Sequence, residues 1–298
     1  MGRWRDRGGG LAYLALAAAV SAGQTATAAH GEPANLPATP QRIVSMNMCT
    51  DELVLRLVPR SRIVSVTWLS RDAASSNVAD LAADVPVNHG LAEEIIPLDP
   101  DLILAGIYTT RTAVAMLKQT HFPLVEVGIS GSVADVRTQI RDMAKRLDAV
   151  ARGEEIVQRM DAALAASAPT ASERRPTALV FNPNGFTAGA GTLVDDIITR
   201  AGLDNLALRL KLGNVNRIPL ELLVRSAPEV LIVASSRDGP PSLATELLQH
   251  PVLAHLGART VVTVLPTRLW TCAGPAVVDA IAQLHAVADQ VRARTASR

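Results

Sequence analysis

The sequence predicts an α/β protein of two Rossmann-like lobes with parallel sheets, joined by a long α-helix and leaving a cleft between the lobes. Three observations carry this reading. Short β-branched runs alternate with stretches of helical spacing, the pattern of parallel strands covered on both faces. Between two sets of such runs lie about 36 residues without proline or strand signal. One proline-marked segment is also written twice, "AEEIIPLDPDLILAG" from Ala92 and "LELLVRSAPEVLIVA" from Leu220, with Pro100 and Pro228 lying 128 positions apart.

The chain opens with arginines at 3, 5 and 7 followed by "LAYLALAAAV", ten apolar residues that are too few to span a bilayer as a helix. Residues 1–28 therefore read as a secretory signal, with small-x-small cleavage patterns and a favoured cut near Ala28. The only cysteines are Cys49 and Cys272, so no lipid-anchored start is expected. The mature chain is expected to be periplasmic, soluble and monomeric. Lysine plus arginine (29) nearly balances aspartate plus glutamate (28), which gives no basic face for nucleic acid.

In the first lobe (37–131), strands are predicted at Arg42 to Met46, Arg62 to Thr67, Leu102 to Gly106 and Leu124 to Gly128. The connector (132–168) places Val136, Ile140, Met143 and Leu147, then Ile156, Met160 and Leu164, at helical spacing. A helical linker is stiff, so any hinge motion should be small. The second lobe (175–298) has strands at Thr177 to Phe181, Leu231 to Ser235 and Val261 to Leu265. Each copy of the repeat is a short helix, a proline-marked turn and a core strand. Glu93 and Glu221 each stand seven residues before the proline, in the first turn of their helices, where the helix dipole favours a carboxylate. A matched, exposed pair on two lobes is also what a two-point docking surface requires.

In open α/β sheets, ligands bind outside the carboxyl ends of the strands. Four of the six aromatics beyond the signal follow strand ends, namely Trp68, Tyr108, Phe186 and Trp270. They are expected to line a ligand cleft and offer broad apolar faces to a large flat or cage-like ligand. Arg71, Arg111 and Arg268 lie near the same loops and suit ligand carboxylates or phosphate. "GFTAGAGTLVDD" lacks the lysine and spacing of a nucleotide loop, so its glycines read as a tight crossing into a helix capped by Thr192. In "SMNMCTDEL", Thr50 or Asp51 reads as the helix entry.

Cys49 and Cys272 both fall in loops expected to open on the cleft. A disulfide tying the lobes, a reduced structural pair and ligation of a soft metal centre are three open readings of them. His89, His121, His250, His255 and His285 have no metal-ligand spacing, which argues against a zinc or manganese site.

With these features in order, the sequence resembles the substrate-binding proteins of ABC importers for vitamin B12, ferric siderophores and haem. "RIVSMNMCTDELVLRL", "GLAEEIIPLDPDLILAG", "GFTAGAGTLVDDIITRAGLDNLA", "IPLELLVRSAPEVLIVA" and "HPVLAHLGARTVVTVLPTRLW" resemble successive elements of that family over nearly the whole mature chain. The resemblance implies a periplasmic binding protein with no catalysis and no cofactor of its own. It would deliver a cobalamin-type corrinoid or ferric siderophore, both small metal chelates, to a permease dimer in the inner membrane. It further implies that Glu93 and Glu221 pair with arginines on the two permease subunits. Haem, which wants an axial Tyr or His, is the alternative within the family, with Tyr108 as the one tyrosine beyond the signal. A secreted two-lobed hydrolase using Cys49 as nucleophile with a distant histidine is the alternative of another class.

Overall fold

The computed structural model describes residues 36–170, 173–234, 250–254, 256 and 259–297. The predicted signal (1–28), Ser235 and His255 lie outside them. In the first lobe run β1 (Ile43–Ser45), α1 (Met48–Leu57), β2 (Ile63–Thr67), α2 (Ala79–Ala82), β3 (Val87–Asn88), α3 (Ala92–Ile95), β4 (Leu102–Gly106), α4 (Arg111–Leu117) and β5 (Leu124–Val127). The connector holds α5 (Val133–Arg146) and α6 (Val150–Ala166). The second lobe runs β6 (Thr177–Phe181), β7 (Phe186–Ala188), α7 (Leu193–Arg200), β8 (Asp204–Asn205), α8 (Leu206–Arg209), β9 (Val215–Arg217) and α9 (Leu220–Ser226). It closes with β10 (Val230–Ala234), α10 (Pro251–Ala254), β11 (Val261–Leu265) and α11 (Val277–Ala296).

The first sheet is parallel throughout, in the order β3-β2-β1-β4-β5. The second, also parallel, reads β11-β10-β6-β8. The central strands are apolar runs because helices cover both faces; β4, Leu-Ile-Leu-Ala-Gly, is buried at every position. Strands β3, β7, β8 and β9 escape sequence reading because they are only two or three residues long. Phe186, expected in a loop, starts β7, which pairs antiparallel with β9.

The repeat has a precise structural counterpart in each lobe. Asp99 and Ala227, each immediately before a repeat proline, adopt left-handed backbone conformations with φ of 46° and 41°. The acid after the proline then ties down the start of the neighbouring strand. Asp101 accepts the main-chain N–H groups of Gln41 (2.6 Å) and Arg42 (2.8 Å) just ahead of β1. Glu229 accepts that of Thr177 (3.0 Å) at the start of β6. Strands β1 and β6 flank β4 and β10 in their sheets, so the second copy rebuilds the first.

The connector is helical but is not one continuous helix. It breaks after α5, where Asp148 takes φ of 51°, and returns as an antiparallel hairpin. The ion pairs Arg141–Glu154 (2.7 Å) and Arg137–Asp161 (2.5 Å) fix its register. Gly153 makes the close packing possible, since a Cβ there would stand 2.4 Å from the Cβ of Ala144. The helical spacing was legible in the sequence; the reversal lacks a proline or glycine at the turn to announce it. One apolar cluster runs through both lobes and the connector, from Leu53 and Leu104 through Met160 to Ile198 and Ile281. Each lobe adds a smaller cluster of its own around Ile103 or Phe181.

Candidate ligand cleft and docking surface

All strands of each main sheet point the same way, so their carboxyl ends form one edge per lobe. Three contacts join these edges. Cys49, just beyond β1, is bonded to Cys272, beyond β11, with S–S 2.16 Å and Cα–Cα 4.9 Å. Gly131, beyond β5, packs against the carbonyl of Gly191, and the N–H of Val133 donates to Asp196 at 2.7 Å. The Cys272 segment also lies on α1, because Gly274 meets the buried carboxylate of Glu52 so closely that a Cβ would stand 2.8 Å from it. The lobes thus meet at the edge where α/β sheets hold ligands.

The four aromatics divide. Trp68, which opens the turn after β2, is 50% exposed, and Tyr108, after β4, is 82% exposed. Both present free faces. Phe186 is partly covered, with the Arg217 guanidinium stacked 4.6 Å from its ring centre. Trp270 does not line a cleft: it is 6% exposed and belongs to the main core. The turn Thr267–Leu269 folds the chain back after β11, so the indole lands inside rather than at the edge.

Of the three arginines, Arg71 and Arg268 are engaged by the protein, while Arg111 is exposed at the start of α4. Arg71 donates to the carbonyls of Ala82 (3.3 Å) and Val85 (2.6 Å), which fastens the Trp68 turn to the α2 region. Arg268 exchanges bonds with Asn77 in the first lobe: its carbonyl accepts from the Asn77 amide at 2.6 Å and its guanidinium donates back at 3.1 Å. Cys49, paired in the disulfide, offers no thiolate, which removes the nucleophile of the hydrolase reading. His89 is also committed, its ring 2.9 Å from Glu94.

Beneath Trp68 lies a group that sequence reading assigned only to helix entry. Asn47, rather than Thr50 or Asp51, caps α1 by accepting from the Cys49 N–H. Asp51 is fully buried, and its Oδ2 accepts from the Thr67 N–H (3.0 Å), the Thr67 hydroxyl (2.5 Å) and the Ser70 hydroxyl (2.5 Å). Among the described residues its Oδ1 has no hydrogen-bond partner. Burial pushes this carboxyl up to about 6 against the opposing effect of the hydroxyl bonds. The amphipathic spacing of α1 could not announce an acid facing inward.

Glu93 and Glu221 are both exposed, each in the first turn of its helix, α3 and α9. Among the described residues neither has an ion pair or side-chain hydrogen bond. Glu94 differs: it accepts from the His89 N–H at 2.6 Å, which holds its carboxyl below the usual range. Of the adjacent acids, Glu93 alone is uncommitted. Among the described residues, no helix is long and apolar enough to cross a membrane, and no cluster of His, Cys, Asp or Glu is arranged to hold a metal ion.

Two parallel α/β lobes meeting at their carboxyl edges across a helical connector define a two-lobed ligand-binding protein. The model of the periplasmic binding protein family matches residues 43–260, and the chain belongs to that family. It is 24% identical over 218 residues to a cobalamin-binding protein of Halobacterium salinarum; the alignment covers 72% of this chain and 59% of that relative's length. Solved structures with the same fold include the periplasmic heme-binding protein RhuT of Roseiflexus sp. RS-1 in apo form (TM-score 0.67, 22% identity, covering 85% of this chain and 99% of that one). The periplasmic vitamin B12 binding protein BtuF of Vibrio cholerae gives 0.60 at 15% identity, covering 86% and 99%. The molybdate periplasmic binding protein MolA of Haemophilus influenzae gives 0.63 at 18% identity, covering 88% of each chain.

Proposed function

We propose that this protein captures a bulky metal chelate, a cobalamin-type corrinoid or a ferric siderophore, and delivers it to the permease of an ABC importer. The observation that carries this reading is the placement of Trp68 and Tyr108, two exposed aromatic faces at the carboxyl edge where the lobes meet. A corrinoid ring or chelate shell gains from such faces by burial, without needing catalytic groups. The arginine-led leader accounts for export, and Glu93 and Glu221 for docking on two permease subunits by charge, one per lobe. Haem is a second reading, favoured by the free phenol of Tyr108, since a tyrosinate is an iron ligand.

A thermal-shift panel of cyanocobalamin, ferric hydroxamates and haem tests this. A ligand at a hundred times its dissociation constant stabilises the folded state by about 2.7 kcal/mol. Stabilisation by a corrinoid or ferric chelate that is lost in Trp68→Ala supports the first reading. A haem absorption band that shifts in Tyr108→Phe supports the second, and no response to any of the three overturns both.

A further inference from the structure

A cavity of about 530 Å³ opens where α1, α6 and the start of α11 meet, and neither Trp68, Tyr108 nor Phe186 lines it. Four arginines do: Arg56 from α1, Arg152 and Arg159 from α6, and Arg268 from the turn after β11. Asp279 is the one carboxylate among its described lining residues. Like charges drawn together repel, and the carboxylates behind the wall answer only part of this. Glu52 pairs with Arg56 at 3.1 Å, while Arg152 and Arg159 share Glu155 at 2.7 and 3.5 Å. Among the described residues Arg268 has no carboxylate partner, its guanidinium meeting the amide oxygen of Asn77. Counting Asp279, Glu52 and Glu155, the site keeps an excess positive charge. Each guanidinium carries five donors in a planar fork; among the described residues Arg268 uses one of them, and Arg159 approaches Glu155 alone, at the loose distance of 3.5 Å.

We propose that this cavity is a second binding site, for a small oxyanion bearing at least two negative charges of the phosphate or carboxylate type. Planar forks match such oxygens in pairs, and partial enclosure raises the strength of each charge-assisted bond above its value in open water. The site draws on all three parts of the molecule: Arg56 and Asn77 from the first lobe, Arg152 and Arg159 from the connector, Arg268 and Asp279 from the second lobe. A bound anion therefore bridges the lobes and stabilises their present relation. The proposal is independent of what the main cleft holds.

Titration of the full chain at low ionic strength with inorganic pyrophosphate, and separately with citrate, tests it by calorimetry and melting temperature. Sodium chloride at matched ionic strength is the control. Saturable binding of either probe, with a rise in melting temperature that chloride does not reproduce, is expected. Pyrophosphate alone marks a mineral oxyanion site, citrate alone an organic polycarboxylate site, and both mark recognition by charge. Arg159→Gln with Arg268→Gln should weaken binding by about tenfold or more. Arg159→Gln alone, at an exposed position, gives a partial loss in a chain whose fold is not at risk. A response that follows ionic strength only, or that survives the double substitution unchanged, overturns the proposal.

Discussion

Asp101 and Glu229 hold the same post in their respective lobes: at the start of the strand beside its own, Asp101 accepts two main-chain N–H groups and Glu229 accepts one. Losing either acid leaves those donors to water and frees the strand entrance. Asp101→Ala and Glu229→Ala should each cost about 1–2 kcal/mol in denaturant unfolding. Glu229→Ala should also release Arg174, its ion-pair partner at 2.7 Å. Equal stability of both variants with the parent would show that the entrances are held by the sheet alone.

Asp51 should make stability fall as pH rises. Its folded value, about 6, lies above its ordinary 3.8. The folded chain therefore holds this proton where the unfolded chain has lost it. The contribution is complete below about pH 4 and disappears as pH climbs through about 6, amounting to on the order of 3 kcal/mol. Asp51→Asn should flatten this part of the profile, measured as the difference in unfolding free energy between mildly acidic and neutral buffer. An unchanged slope in the variant would assign the dependence to other groups.

The two tryptophans should behave oppositely. Trp270→Ala opens a void in the shared core and should cost about 3–5 kcal/mol. Trp68→Ala, at a half-exposed position, should change stability by less than about 1 kcal/mol. Paired melting curves decide this, and a large loss for Trp68 would mean that its ring supports the turn rather than faces a ligand.

The Cys49–Cys272 bond closes a loop of 223 residues. The double substitution to serine should lower stability by about 2–4 kcal/mol, as should reduction of the parent. Reductant should leave the melting point of the double variant where it was.

Glu93→Ala with Glu221→Ala should alter folding stability by no more than about 0.5 kcal/mol, because both side chains are exposed and neither has a partner among the described residues. If the two acids dock the protein, the same variant should retain ligand affinity while transport by reconstituted importer fails. Normal transport would remove them from that role.

The central strands were legible because a doubly covered strand must be apolar, and β4 and β6 fall where their apolar runs do; β11, at a sheet edge with Val262 and Val264 exposed, was legible from its β-branched residues alone. The repeat was legible as a pattern, but the work of its acids was not. Asp101 and Glu229 bond to main chain more than 50 residues away, and nothing local in sequence encodes that. Trp270 illustrates the limit for sites. Position after a strand end places a residue at the edge, whereas a single tight turn decides whether its ring faces inward. Asp51 was hidden for the converse reason, since an inward acid breaks the apolar face that identifies a helix's buried side.

The disulfide has a consequence in time. During synthesis Cys49 emerges long before Cys272, 223 positions further along the chain. The first lobe can be complete while its thiol still waits for a mate that has not been made. With only two cysteines present, no wrong pairing within the chain is available to it. Closure of this bond therefore records that the Cys272 segment has arrived and found its place against the first lobe.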